Sequence, residues 1–251
     1  MEIIALSDIG NVRSVNQDYV RYLKKNDQEC LVVLCDGMGG HNAGEIASSM
    51  TCDDIIEQYS YHGCFFNEED IKAWMSELIY HAHHLVKDKS HESLEMEGMG
   101  TTVVLALFLK NRIYISHVGD SRAYLLKKHQ FVQLTKDDTL VNVLVDSGTI
   151  SADEAKYHPQ KNILLQAVGV SDILRISFLS QEMDEGMILL CSDGLYNSLS
   201  DDQIKEILEK NINIEDKGKE LMDAANTFGG KDNIGFALIL NEGVVNNESN
   251  S

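Results

Sequence analysis

Two segments of this 251-residue chain end an apolar run with aspartate followed by glycine: Leu31-Val32-Val33-Leu34-Cys35-Asp36-Gly37 and Met187-Ile188-Leu189-Leu190-Cys191-Ser192-Asp193-Gly194. They contain the only Asp-Gly pairs in the sequence. An isolated pair of this kind ordinarily makes a hairpin turn, but a hairpin needs a second alternating strand, and neither segment has one. Asp36-Gly37 runs into Met38-Gly39-Gly40-His41-Asn42-Ala43-Gly44 and then a helical pattern, and Asp193-Gly194 runs into Leu195-Tyr196-Asn197 and another. A third segment, Gly229-Gly230-Lys231-Asp232-Asn233, sets Asp232 just before the apolar run 234–240. Carboxylates at the ends of buried strands, beside glycines that let a backbone carbonyl come close, make an all-oxygen donor set suited to hard cations such as Mg²⁺ or Mn²⁺. The three acids are expected to share one site.

The elements that must position them follow from periodicity. Residues 2–7 and 18–24 read as strands, and 31–35 is a continuous apolar run of the kind found in strands buried on both faces. Residues 42–59 and 68–87 place apolar side chains at three- and four-residue spacing, as two consecutive amphipathic helices would. Strand chemistry returns over 101–126, broken at Lys110-Asn111 and Gly119-Asp120, with a shorter strand near Phe131; this reads as an antiparallel meander. Short helices and loop fill 139–158 up to Pro159, the only proline, and look inserted. Strands at 173–178 and 187–191, helices at 201–210 and 215–227 and a strand at 234–240 complete the pattern. The expected class is α+β, two sheets face to face with helices outside, in one domain over residues 1–241. Residues 242–251, rich in Asn, Ser and Glu, are expected to be disordered.

Composition narrows the function. With 21 basic and 40 acidic residues, a net charge of −19, the chain is not expected to bind nucleic acid, whereas bound cations suit it. The five cysteines (Cys30, Cys35, Cys52, Cys64, Cys191) include no C-x-x-C pair, which argues against a disulfide framework and a thiolate zinc site. No apolar stretch is long enough to span a bilayer and the N-terminus lacks the basic region of a signal peptide, so a cytoplasmic location is expected.

Further residues sharpen the picture. Arg13 stands five residues before Asp18, and Gly119-Asp120-Ser121-Arg122 adds another acid at a strand turn, where Asp120 alone would read as a turn former. Arg122 is expected to pair with a carboxylate for structure, and Asp8 to hold the N-terminal loop through side-chain to backbone hydrogen bonds. His81, His83 and His84 resemble a metal cluster but read better as a solvated helix face. Cys35 and Cys191 read as core thiols on the alternate side of buried strands.

Seven blocks in order, S-D-I-G-N-V-R-S-V-N-Q-D, C-D-G-M-G-G-H-N-A-G-E, G-M-G-T-T, G-D-S-R-A, H-P-Q-K-N-I-L-L-Q-A-V-G, C-S-D-G-L and G-G-K-D-N-I, closely resemble the bacterial form of the type 2C metal-dependent serine/threonine protein phosphatases. The resemblance runs from about Ile3 to Leu240. It implies a four-layer αββα sandwich, two mostly antiparallel sheets flanked by helix pairs, holding two Mn²⁺ or Mg²⁺ ions in a cleft at one end. By position, Asp36 would bridge the ions, Gly37 would offer its backbone carbonyl to one, and Asp193 and Asp232 would complete the other. Asp18 would support the cluster from behind, Asp120 with Asp193 would hold a third, weaker ion, and Arg13 would grip the substrate phosphate. The implied reaction is hydrolysis of phosphoserine and phosphothreonine in proteins by a metal-activated bridging water, opposing a Ser/Thr protein kinase. A monomer is expected.

Two positions depart from the family pattern. Gln17 stands where the family has a glutamate that orders a water on one metal; an amide contributes no charge, so one ion should bind more weakly. Met38 stands where eukaryotic relatives place a histidine, and the nearest imidazole is His41, which either protonates the leaving oxygen or organises its loop. Residues 138–165 match a flap that shapes substrate preference. Two other functions compete with the leading one: a catalytically weak regulator that binds phosphoproteins, for which Gln17 alone speaks, and a hydrolase of small phosphate esters.

Overall fold

The computed structural model of the chain describes residues 1–39 and 43–243. His41 and most of the C-terminal tail lie outside the described residues. The strands are β1 (Glu2–Asp8), β2 (Asp18–Asn26), β3 (Glu29–Met38), β4 (Gly100–Thr101), β5 (Val103–Leu109), β6 (Arg112–Val118), β7 (Arg122–Lys127), β8 (Gln130–Gln133), β9 (Ser177–Glu182), β10 (Gly186–Cys191) and β11 (Ile234–Asn241). The helices are α1 (Ala43–Tyr61), α2 (Glu68–Ser90), α3 (Leu140–Asp146), α4 (Ala152–Tyr157), α5 (Asp193–Tyr196), α6 (Asp201–Leu208) and α7 (Ile214–Phe228). One antiparallel sheet runs β1-β11-β10-β7-β8; the other runs β2-β3-β5-β6-β9, with β4 paired to β3.

The unbroken apolar runs are explained by burial on both faces. Along β3, Leu31, Val33 and Cys35 pack with Ala47, Ile55, Met75 and Ile79 of α1 and α2, while Val32 and Leu34 point into the space between the sheets. Along β10, Ile188 and Leu190 meet them there, and Met187, Leu189 and Cys191 turn outward onto α6 and α7. Each strand thus serves two cores through its two-residue alternation. The result is the expected αββα layering, and Cys35 and Cys191 are core thiols with no exposed surface.

Two expectations need correction. The segment from 101 to 131 is no single meander: β5 and β6 belong to one sheet, β7 and β8 to the other, and the chain crosses between them at Gly119-Asp120-Ser121. Gly119 makes this possible with φ +102°, and a Cβ there would meet the Thr102 side chain at 2.7 Å. The strand expected at 173–178 begins at Ser177, because β6 supplies partners only as far as His117. Among the described residues, no strand pairs with 173–176. The short helix α5, which starts at Asp193 itself, was not anticipated.

Candidate metal centre and phosphate cleft

The acids gather where the space between the sheets opens at one end. Asp18 of β2 and Asp36 of β3 are directly opposed in the antiparallel register, and they share the alternation of Val20, Val32 and Leu34, which face between the sheets. Like charges placed opposite one another oppose folding unless a proton or a cation intervenes. The other sheet answers with Ser192, whose Oγ donates to Asp18 Oδ2 at 2.5 Å and accepts from the Gly235 N–H at 2.9 Å. Asp193 follows directly. Asp232 approaches from the loop before β11, and Asp120 from the crossover between sheets.

Asp36, Asp120, Asp193 and Asp232 line one cleft of about 380 Å³ together with Arg13, Gln17, Gly37, and Asn162 and Leu164 from the segment 138–165. Asp18 is buried and does not line the cleft. The walls are held by backbone hydrogen bonds. Gly37 N–H donates to Gln17 O at 2.9 Å, and Gln17 N–H to Asn233 Oδ1 at 2.9 Å. Asn233 Nδ2 donates to Ile9 O and Val15 O, fastening the Arg13 loop to the strand that follows Asp232. Thr102 Oγ1 accepts from Asp36 N–H at 3.0 Å and pairs with Ser121 Oγ at 2.7 Å, which fixes Asp36 relative to the Asp120 crossover.

The glycines of both Asp-Gly pairs serve close packing. A Cβ on Gly37 would lie 2.1 Å from Gly44 O, and one on Gly194 would lie 1.8 Å from Asn233 O. Arg122 makes a two-pronged bond to Asp137, with Nη2 to Oδ2 at 2.7 Å, and its guanidinium lies 3.6 Å from the Tyr196 ring centroid. Tyr196 Oη then donates to Asp120 O at 3.1 Å. Arg122 is therefore structural, as expected, and holds the ring that anchors Asp120.

Electrostatics test whether these residues suit cations. Burial, with Asp18, Asp193, Asp120 and Asp232 adding their charges, pushes the Asp36 carboxyl far above the usual carboxylate range. Burial raises Asp18 to about 7, partly offset by Ser192 and reinforced by Asp193. Burial and Asp193 raise Asp120 to about 7; burial and Asp232 raise Asp193 to about 6. Such a crowd of acids resists full ionisation without positive charge among them. Oxygen donors from carboxylates and a backbone carbonyl are what Mn²⁺ and Mg²⁺ accept, so the donor set fits. Among the described residues, no three Asp, Glu, His or Cys side chains form a closed ion cage on their own. Asp232 is turned onto Arg13, which donates from Nη2 to Oδ2 at 2.7 Å.

Elsewhere, Asp8 Oδ1 accepts from the Gly10 N–H at 2.8 Å and holds its loop as expected. The histidine reading needs correction. His81 is not merely solvated but bonds Asp54 at 2.9 Å, and His83 is buried, accepting from the Gly169 N–H at 3.0 Å. Three positioning residues were missed: Thr102, Ser192 and Asn233. Each stands inside or beside a recognised block, but Ser, Thr and Asn in a loop give no signal of which distant backbone they will bond.

Comparison with known proteins agrees with the geometry. Residues 11–227 match the family model described as protein phosphatase 2C. The chain is a protein phosphatase and belongs to that family. It is 35% identical over 234 residues to the serine/threonine phosphatase stp of Listeria monocytogenes, covering 93% of each chain. The structure of the Streptococcus agalactiae serine/threonine phosphatase superposes with a TM-score of 0.89 at 36% identity, over 94% of this chain and 98% of that one. The catalytic domain of the serine threonine protein phosphatase PstP, solved in complex with two manganese ions, superposes with a TM-score of 0.80 at 32% identity, over 94% of this chain and 96% of that one.

Proposed function

We propose that this chain hydrolyses phosphoserine and phosphothreonine in proteins at the cleft lined by Asp36, Asp120, Asp193 and Asp232. The convergence of these four acids with Arg13 on one concavity carries the reading. Asp36, the Gly37 carbonyl, Asp193 and Asp232 would hold two Mn²⁺ or Mg²⁺ ions, with Asp120 and Asp193 offering a weaker third place. When bound, such ions would supply Lewis acidity to the phosphoryl group and lower the pKa of water so that hydroxide is available at neutral pH.

The chain's own residues do the rest. Arg13 presents a planar guanidinium to two phosphate oxygens, after leaving Asp232. Asp18 and Ser192 hold Asp36 and Asp193 in register from behind. Leu164 and Asn162 cover the cleft from the flap side. His41, two positions after Gly39 in the sequence and outside the described residues, is the candidate for protonating the leaving oxygen.

Residues 1–241 act as one catalytic domain, working as a monomer in the cytoplasm and reversing a Ser/Thr protein kinase. Among the described residues no helix is long and apolar enough to cross a membrane. Single-turnover assays with Mn²⁺, on phosphopeptides and on small phosphate esters, test the proposal. Release of phosphate from phosphopeptides, abolished by Asp36→Asn, is the expected result. Tight phosphopeptide binding without turnover would sink it, and so would turnover of small esters alone.

A further inference from the structure

The chain just after Pro159 has two sides. Asn162 and Leu164 line the catalytic cleft, whereas Leu165 and Gln166, next along the chain, line a second concavity of about 560 Å³. It is also lined by Val143 and Asp146 of α3 and by Ile173 and Arg175 from the loop before β9. The segment between the two spaces is firmly tied. Leu140 N–H donates to Ile163 O at 3.0 Å and Leu165 N–H to Asp138 O at 2.8 Å. Asp138 in turn exchanges two hydrogen bonds with Gly119, its N–H to Gly119 O and the Gly119 N–H to Asp138 Oδ2, both at 3.0 Å. Gly119 immediately precedes Asp120, so the second concavity shares a wall and an anchor with the cleft.

Its chemistry is set by what the chain leaves unanswered. Ile173 is 78% exposed, Val143 51% and Leu165 46%, so three large apolar side chains are held out to water around one hollow. The acids of the lining are already engaged: Asp137 by Arg122, Asp138 by the Gly119 N–H, and Asp146 by Lys136 at 2.5 Å. Arg175 uses its backbone N–H on Gln166 Oε1, and among the described residues no ion pair engages its guanidinium. In a chain with 40 acidic and 21 basic residues, this leaves one uncommitted cation beside an exposed apolar hollow.

We propose that this concavity is a docking groove for the phosphoprotein substrate itself. It takes an apolar side chain among Val143, Leu165 and Ile173 and a substrate Asp or Glu on Arg175, while the phosphoresidue occupies the cleft. Leu164 on the cleft and Leu165 on the hollow are consecutive in the chain, and an extended peptide advances about 3.3–3.6 Å per residue, so substrate residues a few positions apart engage both. Charge complementarity argues for this occupant: the surface as a whole repels acidic sequences, and Arg175 marks the one edge of the hollow where a carboxylate is welcome. The proposal rests on the phosphatase reading of the neighbouring cleft.

The test uses two fluorescein-labelled phosphothreonine peptides, one with Leu and Glu three to five residues from the phosphothreonine and one with Leu and Lys there. Binding to the full chain is measured by anisotropy in EDTA, where no turnover occurs, and kcat/KM is measured with Mn²⁺. Arg175→Glu is expected to weaken binding and lower kcat/KM of the Glu peptide about five- to tenfold, to favour the Lys peptide, and to leave p-nitrophenyl phosphate turnover unchanged. Val143→Asp should weaken both peptides and spare p-nitrophenyl phosphate. Equal behaviour of the two peptides with wild type and Arg175→Glu would overturn the groove while phosphatase activity stood. Arg175-dependent binding without any hydrolysis would support the groove and remove the phosphatase reading instead.

Discussion

Arg13 Nη2 lies 2.7 Å from Asp232 Oδ2, so the cation expected to hold the substrate phosphate is bonded to an acid expected to hold a metal ion. Asp232, with Asp193 and Asp36 beyond it, also raises the Arg13 pKa. The two functions therefore compete for one side chain: Asp232 cannot serve a cation fully while its oxygen is committed to Arg13. Arg13→Ala is predicted to lower kcat/KM on phosphopeptides by about 10- to 100-fold, the worth of a charge-assisted bond to phosphate. The same variant should bind Mn²⁺ at least as tightly as wild type by isothermal titration calorimetry. Weaker metal binding in Arg13→Ala would mean that the ion pair organises the metal site rather than competing with it.

Gln17 supplies a neutral amide to a cleft that also holds Asp36, Asp120, Asp193 and Asp232. Its backbone carbonyl accepts the Gly37 N–H, and its side chain packs so closely on Gly44 that a Cβ there would meet Nε2 at 2.6 Å. Gln17→Glu keeps the shape and adds one negative charge. Mn²⁺ affinity at one site should rise roughly fivefold or more, as about 1 kcal/mol of added attraction would give. Calorimetric titrations of the two proteins decide this, and indistinguishable affinities would end the idea.

The raised carboxyls predict an unusual pH response. Asp18 and Asp120 titrate near 7 in the folded chain, against an ordinary value of 3.8, so the folded state holds protons that the unfolded state gives up. Stability from these groups is therefore greatest at low pH and falls as pH rises from about 4 through about 7. In EDTA, the melting temperature should be higher at pH 5.5 than at pH 8. Saturating Mn²⁺ should reverse the order, since the ligands must be deprotonated to bind it. Asp18→Asn, which keeps the acceptor for Ser192, should flatten the metal-free curve and separate this local effect from the general repulsion of a −19 chain.

Much of this was legible before the structure because strand burial and chemistry coincide. An apolar run that serves two cores cannot alternate in sequence, and its abrupt end in Asp36 or Asp193 marks the edge of the sandwich. What stayed hidden depends on pairing. The crossover at Gly119 looked like a hairpin because β6 and β7 are each good strands, and nothing in either says that they join different sheets. The start of β9 was misplaced because strand length is set by the partner's end at His117, which is not a local property. Ser192 and Asn233 were overlooked for the same reason, as their importance lies in bonds to Asp18 and to the Arg13 loop that are distant in sequence.

The Asp-Gly pairs themselves yield the last prediction. Their glycines have ordinary backbone angles, so alanine is conformationally allowed at both. The obstacle is space: a Cβ on Gly194 would lie 1.8 Å from Asn233 O, and one on Gly37 would lie 2.1 Å from Gly44 O. Backbone cannot swing aside as a flexible side chain can. Gly194→Ala must push apart the start of α5 and the Asp232-Asn233 loop, which separates two of the acids from each other. The expected outcome is a loss of about 1–3 kcal/mol of stability by chemical denaturation, as for other overpacked sites. A much larger loss is expected in Mn²⁺ affinity than for a control such as Gly148→Ala, where nothing stands within 4 Å but the positive φ adds strain of its own. If Gly194→Ala loses stability but keeps wild-type metal binding, the close approach of these two loops is a packing feature with no part in holding the ions.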